Sequence, residues 1–180
     1  MTLNAVTAHI PEWGRDIQLN LDSVLSEEGS PGLSSSQIWG VALACSYSVG
    51  SGMLIDAILH EGKCDDATVA ASKSAATMMA MTNVYFRAIH LMNDPSLAAI
   101  PAGLSMSVAE KPGITPMDFT LMSFGISAIG GCGLCMTSKV AECRKASVSH
   151  EAIQSALRIA AVINGANRAL RIARGTLLSQ

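Results

Sequence analysis

Cys132 and Cys135 are the residues of this 180-residue sequence whose types and spacing point most directly to chemistry. A Gly-Leu pair separates them and a Gly-Gly pair precedes them, so the chain can turn there and leave the sulfurs approachable. At a helix start, free backbone N–H groups and the helix dipole stabilise a thiolate, which on this ground alone favours the first cysteine as nucleophile. Cysteines at this spacing also close a disulfide through a tight loop. The pair therefore predicts a redox-active dithiol.

Two other interpretations of the cysteine pair stay open. A structural zinc site needs about four ligands, and the further candidates Cys143 and His150 form neither a second CxxC nor an HxxxH. Two ordinary buried cysteines are the other alternative. The sequence also lacks a glycine-rich phosphate loop, which argues against a nucleotide site. We predict no metal and no tightly bound cofactor.

Charged residues make up only 14% of the chain and apolar residues 49%, whereas an average soluble domain has roughly 25% charged residues. Two stretches, Gly29 to Ile55 and Phe119 to Ser138, carry no charged side chain. A large core, a partner subunit or a membrane must therefore cover them. The second stretch is as long as a bilayer span, but its hydroxyl side chains and its glycine break argue against one. We predict no membrane span.

Net charge and the first residues exclude further classes of protein. The formal net charge is −2 with no basic run, so the chain has no electrostatic footprint for nucleic acid. The first residues lack the basic and apolar regions of a signal peptide. We therefore predict a cytoplasmic protein, whose five cysteines are thiols or core residues and not a disulfide framework.

The residue pattern predicts an all-α fold, because helix signals recur and the alternation typical of strands is not sustained anywhere. One of Ser34 to Ser36, Asp65 or Asp66, and Ser149 are suitable N-caps. The predicted helices are Ile10–Val24, Gln37–Tyr47, Met53–His60, Ala67–Met92, Met117–Ile129, Cys132–Ala146 and His150–Arg174, with a loop from Pro101 to Thr115.

An internal repeat is indicated at an offset of 84 residues. The matched positions are Asn83 with Asn167, Arg87 with Arg171, Asp65 with Ser149, and Ser48–Ser51 with Cys132–Cys135. On this interpretation only the second copy carries sulfur. We predict one domain over residues 1–180, built from two related helical halves at residues 34–93 and 117–174.

A resemblance to a known family covers almost the whole chain. Its densest run is Phe119, Ser123-Phe124, Ser127-Ala128-Ile129, Gly131-Cys132, Cys135 and Arg144. Further matches are Pro11-Glu12, Asp16-Ile17, Leu19-Asn20-Leu21, Trp39-Gly40, Asn83-Val84-Tyr85, Arg87, Gly103-Leu104, Met106, Pro112-Gly113-Ile114 and Glu151-Ala152-Ile153. With these residues the chain resembles the AhpD-like alkylhydroperoxidases, within the carboxymuconolactone decarboxylase-like superfamily.

The resemblance implies an all-α, internally duplicated AhpD-like fold that assembles as a homotrimer or higher oligomer. It implies a thiol-dependent peroxidase and disulfide reductase, with a peroxiredoxin and a dihydrolipoyl protein as partners. Carried over by position, Cys135 matches the cysteine that attacks peroxide, and Cys132 matches its resolving partner. The pair then ends as a disulfide that an external dithiol of the dihydrolipoyl type must reduce.

Three positions depart from the family's pattern, which has a Glu/His proton relay around the cysteines. They hold Thr120, Leu134 and Lys139. Lys139 lies one helical turn after Cys135, where an ammonium lowers a thiol pKa by charge pairing. A lysine does not shuttle protons near neutral pH unless its own pKa falls by several units. Asp118 would point about 200° away from the vacant glutamate position around a helix, so we do not expect it to substitute.

These departures divide the functional hypothesis. The first alternative is an active dithiol oxidoreductase with weakened peroxidase activity, in which Cys132, Cys135 and Lys139 are catalytic. The second is a divergent paralogue that exchanges disulfides or senses redox state. The third is a non-catalytic oligomeric binding module whose apolar stretches form interfaces. A Glu or His that reaches Cys135 from elsewhere in the fold would favour the first.

Overall fold

The computed structural model describes residues 1–177, which hold nine α-helices and no β-strand. The helices are α1 (Leu3–Thr7), α2 (Arg15–Val24), α3 (Ser35–Val49), α4 (Gly52–His60), α5 (Asp66–Met92), α6 (Pro95–Ala98), α7 (Pro116–Gly130), α8 (Gly133–Lys145) and α9 (His150–Leu177). Two 3₁₀ turns lie at Glu12–Gly14 and Ser107–Ala109. The predicted all-α class is confirmed.

The two uncharged stretches form the central helices of the fold. Residues 38–46 of α3 and 119–127 of α7 are buried without interruption. Helix α3 packs against α5, α7 and α9, while α7 also packs against α5, α8 and α9. A helix that is apolar on all sides needs such complete cover. The shortage of charge is therefore explained in large part by two core helices, and no described helix is long and apolar enough to cross a membrane.

Polar side chains start the long helices as the sequence predicts. Ser34 forms a capping box with Gln37 at the start of α3. Asp65 and Ser149 accept hydrogen bonds from backbone amides three residues further on, at 2.8 and 3.1 Å, and so begin α5 and α9. Each cap satisfies an N–H group that has no partner within its helix.

The N-terminal part of the chain differs from the prediction of one helix over Ile10–Val24. Helix α2 begins only at Arg15, after a 3₁₀ turn that follows Pro11. Proline disfavours helical backbone in the residue before it, and Ile10 instead packs into the core, where it is 1% exposed. The short helices α1 and α6 were not predicted, because four or five residues are too few to show helical periodicity.

The helix boundaries repeat with two offsets and not with one. Helices α3 and α4 begin at residues 35 and 52, and α7 and α8 begin at 116 and 133, an offset of 81. Helices α5 and α9 begin at 66 and 150, an offset of 84. The match of Ser48–Ser51 with Cys132–Cys135 is therefore wrong by three residues, because α8 is four residues longer than α4 and the loop after it is one residue shorter. Ser51 corresponds to Cys132, and we propose on this basis that the two halves are related within one domain.

Candidate redox site

A glycine turn between α7 and α8 places the cysteine pair. Gly131 follows the end of α7 with a left-handed φ of 65°, a conformation that favours glycine. Its N–H donates to the carbonyl of Ala128 at 3.2 Å, and the N–H of Cys132 donates to that of Ser127 at 3.1 Å. This pattern closes the last turn of α7 and reverses the chain direction. Cys132 then becomes the N-cap of α8.

Cys132 and Cys135 are joined by a disulfide, with their Cα atoms 5.3 Å apart. The Sγ atom of Cys132 accepts a hydrogen bond from the backbone N–H of Cys135 at 3.2 Å, so both sulfurs lie at the positive end of the α8 dipole. Cys132 is fully buried, whereas Cys135 is 8% exposed. The zinc interpretation has no further ligands in residues 1–177, where no group of three or more His, Cys, Asp or Glu side chains is placed to hold a metal ion.

Two polar side chains of α5 donate hydrogen bonds to the last turn of α7, just before the glycine turn. The Nδ2 atom of Asn83 donates to the carbonyl of Ile126 at 3.3 Å, and Nη1 of Arg87 donates to the carbonyl of Gly130. A Cβ atom at Gly130 would lie 2.6 Å from Nδ2 of Asn83, so a side chain at this position would displace the Asn83 amide. In the other half Asn167 donates to the carbonyl of Val49 at 3.3 Å, so an asparagine again binds the last turn of a core helix, although Val49 corresponds to Gly130 and not to Ile126. These hydrogen bonds pin α5 to the end of α7, and α9 to the end of α3.

A cavity of about 350 Å³ opens beside Cys135. Its lining residues are Met78, Met79, Thr82 and Phe86 of α5, Met106 and Ala109 of the following loop, and Leu134, Cys135, Ser138 and Lys139 of α8. Methionines are flexible and adapt to apolar ligands of different shape. Met78 and Met79 are buried in the core and also form a wall of the cavity.

Two of the three substituted relay positions are joined by Glu142, a residue that sequence reasoning missed. The hydroxyl of Thr120, buried on α7, donates to Oε2 of Glu142 at 3.1 Å. Nζ of Lys139 lies 3.0 Å from both carboxylate oxygens of Glu142, and Ser138 donates to Oε1 at 3.4 Å. Spacing alone contained a signal, since Glu142 stands three residues after Lys139 and seven after Cys135 on one helix face.

Asp118 takes no part in this network. Its Oδ1 atom accepts a hydrogen bond from Nε2 of Gln37 at 2.8 Å, which ties α7 to α3. This agrees with the expectation that Asp118 does not replace the missing glutamate. Leu134, at the third substituted position, is 44% exposed and lines the cavity with an apolar side chain.

The other three cysteines are poorly suited to react near neutral pH. Burial raises the pKa of the Cys45 thiol to about 12. Burial, with a smaller contribution from Asp65, raises the pKa of Cys64 to about 11. Burial and the nearby carboxylate of Glu142 raise the pKa of Cys143, while Lys139 acts in the opposite direction. A thiol that stays protonated is a weak nucleophile, so the three behave as structural residues.

Comparisons with known proteins agree with the geometry. Residues 95–175 match the model of the carboxymuconolactone decarboxylase family. The chain is 44% identical over 158 residues to the alkyl hydroperoxide reductase AhpD of Coxiella burnetii, covering 87% of this chain and 89% of that one. It is 41% identical over 172 residues to the protein of the same name from Hyphomonas neptunium, covering 94% of each chain. A Streptomyces griseus protein of that name is 41% identical over 165 residues, or 91% of this chain and 92% of its own.

Proposed function

The chain belongs to the AhpD-like carboxymuconolactone decarboxylase family, and we propose that it is a thiol-dependent antioxidant oxidoreductase with Cys132 and Cys135 as its redox pair. It reduces alkyl hydroperoxides or the disulfide of a partner protein. The observation that carries this proposal is the Cys132–Cys135 disulfide at a helix N-terminus beside an apolar cavity. Such a cavity suits a hydroperoxide with an alkyl group.

The positions of the two sulfurs support Cys135 as the attacking residue. Cys135 lines the cavity, whereas Cys132 is fully buried and is not part of the lining. A peroxide in the cavity therefore meets Cys135 first. For the choice of nucleophile, this access to the cavity counts for more than the position of Cys132 at the helix end. It agrees with the roles that the family resemblance implies.

The peroxide step needs a thiolate and a proton donor. The Cys135 thiolate attacks the terminal oxygen of the hydroperoxide, so that an S–O bond forms and the O–O bond breaks. The leaving alkoxide takes a proton from the Lys139 ammonium and departs as the alcohol, and the lysine regains a proton from solvent. An alkoxide is a much stronger base than an amine, so an ammonium can give it this proton; what a lysine does not do near neutral pH is take up the proton of a thiol and pass it on. Lys139 is placed for it because it lines the cavity together with Cys135.

The second step closes the disulfide. The sulfur of Cys132 attacks the sulfenic acid on Cys135, and the hydroxyl group leaves as water with the thiol proton of Cys132. Each turnover consumes two electrons, which an external dithiol of the dihydrolipoyl type supplies by thiol–disulfide exchange. The protein itself then needs no tightly bound cofactor.

Exposed large apolar side chains on α5 and after α6 support an oligomer, which we propose to be a homotrimer. Val84 and Leu91 of α5 and Ile100 of the following segment are 59, 73 and 60% exposed. A partner subunit that covered them would bury this apolar surface. A peroxiredoxin, a dihydrolipoyl protein and a cytoplasmic location remain predictions from the sequence and its resemblance.

A peroxidase assay with cumene hydroperoxide and dihydrolipoamide tests the proposal. We expect turnover by the wild-type protein, and loss of at least about 100-fold in Cys135→Ser, because the residue that becomes covalently linked is removed. Cys143→Ser is the matched control and should keep the wild-type rate. Mass spectrometry should show the Cys132–Cys135 disulfide after one equivalent of peroxide.

The same assay separates the alternatives. A protein that exchanges disulfides with dihydrolipoamide but does not respond to peroxide would be the divergent paralogue. The Thr120, Leu134 and Lys139 substitutions are the observation that favours it. A protein that is inert in both reactions would contradict the proposal and favour a binding module.

A further inference from the structure

The hydrogen bonds of Glu142 connect side chains of two helices, α7 and α8. Thr120 belongs to α7, and Ser138, Lys139 and Glu142 belong to α8. The Glu142 carboxylate accepts hydrogen bonds from all three of the other side chains. One of its donors is the buried hydroxyl that stands where the family has its relay glutamate. The carboxylate, on a side chain that is 42% exposed, therefore lies against the position of the missing glutamate.

The Lys139 ammonium needs a counter-ion to keep it at the wall of the cavity. Its side chain is 20% exposed, and of the ten described residues that line the cavity it alone carries a charge. The lining contributed by α5 and by the loop after it contains no titratable side chain, and on α8 it contains only Cys135 and Lys139. An ammonium beside an apolar wall is drawn towards water unless a counter-ion holds it. Glu142 is that counter-ion.

We propose that Glu142 is the positioning residue for Lys139, and that the Thr120–Glu142–Lys139 network replaces the missing Glu/His relay of this chain. The inference rests on the proposed function, because it assumes that Cys135 is the reactive thiol. Glu142 does not touch the reacting atoms. It holds the ammonium at the cavity, where the positive charge stabilises the Cys135 thiolate.

The ion pair with Glu142 leaves one N–H group of the Lys139 ammonium free to donate to a substrate. An ammonium has three N–H donors, and the contacts with the two oxygens of Glu142 account for two of them. The third is available for the leaving alkoxide. The opposite effects of Lys139 and Glu142 on the pKa of nearby Cys143 show that both charges act in this part of α8.

The rate of Cys135 alkylation against pH tests the inference without any peroxide. In the fully reduced protein, Glu142→Gln should slow the iodoacetamide reaction of Cys135 at pH 7 by about three- to tenfold, because fewer thiols are ionised. Glu142→Asp keeps a carboxylate and should recover most of the rate. Thr120→Val removes only the hydroxyl and should give a smaller loss.

A double-mutant cycle shows whether Glu142 acts through Lys139. Lys139→Met should slow alkylation at least as much as Glu142→Gln, and the double variant should be no slower than Lys139→Met alone. Glu12→Gln is the matched control, since Glu12 forms an exposed ion pair with Arg15 at the same spacing and does not line the cavity. It should leave alkylation of Cys135 unchanged.

The outcomes separate the inference from the proposed function. Faster or unchanged alkylation in Glu142→Gln would overturn the inference, because Glu142 would then only neutralise Lys139 or have no effect. Additive losses in the double variant would overturn it too. Slowed alkylation in a protein without peroxidase activity would support the inference and reject the peroxidase function instead.

Discussion

The turn between α3 and α4 and the turn between α7 and α8 have nearly the same backbone and very different chemistry. Gly50 and Gly131 have φ angles of 68° and 65°. The next residues, Ser51 and Cys132, have φ and ψ of −92° and 95°, and of −89° and 91°. In both turns the amide of that residue donates to the carbonyl five residues earlier, at 3.2 and 3.1 Å.

The two turns differ in their side chains and not in their backbone. Ser51 makes no capping hydrogen bond, and Leu54, which occupies the place of Cys135, is fully buried. The cavity at the first turn, of about 260 Å³, is lined by Arg171 and Arg174 and contains no thiol. Both turns therefore share one backbone conformation. Only the second also has two cysteines and an apolar cavity, which make it the candidate redox site.

Moving the cysteines to the first turn should give the largest effect. In a Cys132→Ser, Cys135→Ser background, Ser51→Cys with Leu54→Cys should form a disulfide on oxidation, because the backbone angles match. Peroxide turnover should stay below about 1% of wild type, since neither Lys139 nor the apolar cavity adjoins that turn. Thiol counting and the peroxidase assay measure the two outcomes. Restored turnover would mean that the dithiol alone is sufficient.

Rebuilding the family's relay at the second turn should give an intermediate effect. Thr120→Glu, Leu134→His and Lys139→His, combined with Glu142→Gln, should raise peroxide turnover about tenfold or more, because positioned acids and bases contribute that much. The control is the same triple change with Glu142 retained, which brings two carboxylates together and should gain less. A quadruple variant no faster than wild type would show that the present network is already as effective.

Alanine at the two turn glycines should give the smallest effect and sharpen the comparison. Gly50→Ala and Gly131→Ala should each lower the free energy of unfolding by about 1–2 kcal/mol, because left-handed backbone disfavours a Cβ atom. No atom lies within 4 Å of the added Cβ at either position, so the cost is conformational. Chemical denaturation measures it. Only Gly131→Ala should also change the rate at which dihydrolipoamide reduces the disulfide.

The sequence was sufficient for the parts of the molecule that depend on local chemistry. Caps such as Asp65 and Ser149 and long apolar segments predicted the main helices, because both signals lie within a few residues of one another. Lys139 was singled out as a substituted relay position one helical turn after Cys135, and both residues line the cavity. Glu142 was missed although its spacing to Lys139 is visible in the sequence, because its contact with Thr120, 22 residues away on another helix, is not.

The alignment of the repeat and the cavity could not be predicted from the sequence, because they depend on helix lengths and on contacts between distant segments. The repeat could not be aligned correctly without knowing that α8 is longer than α4. The cavity has walls from α5, α8 and the loop between α6 and α7, and no one segment indicates it. The disulfide was predicted as the end state of the family's chemistry, and the structure joins the same two sulfurs.

Helix α5 ties the cavity and the redox turn to one rigid rod. Its 27 residues span about 40 Å, and Met79 and Phe86 form the cavity wall while Asn83 and Arg87 grip the end of α7 within the same two turns. The same helix therefore bounds the space for a substrate and holds the helix end that precedes the cysteine pair. A substitution on one face of α5 can change the cavity, and one a few residues away can change the turn.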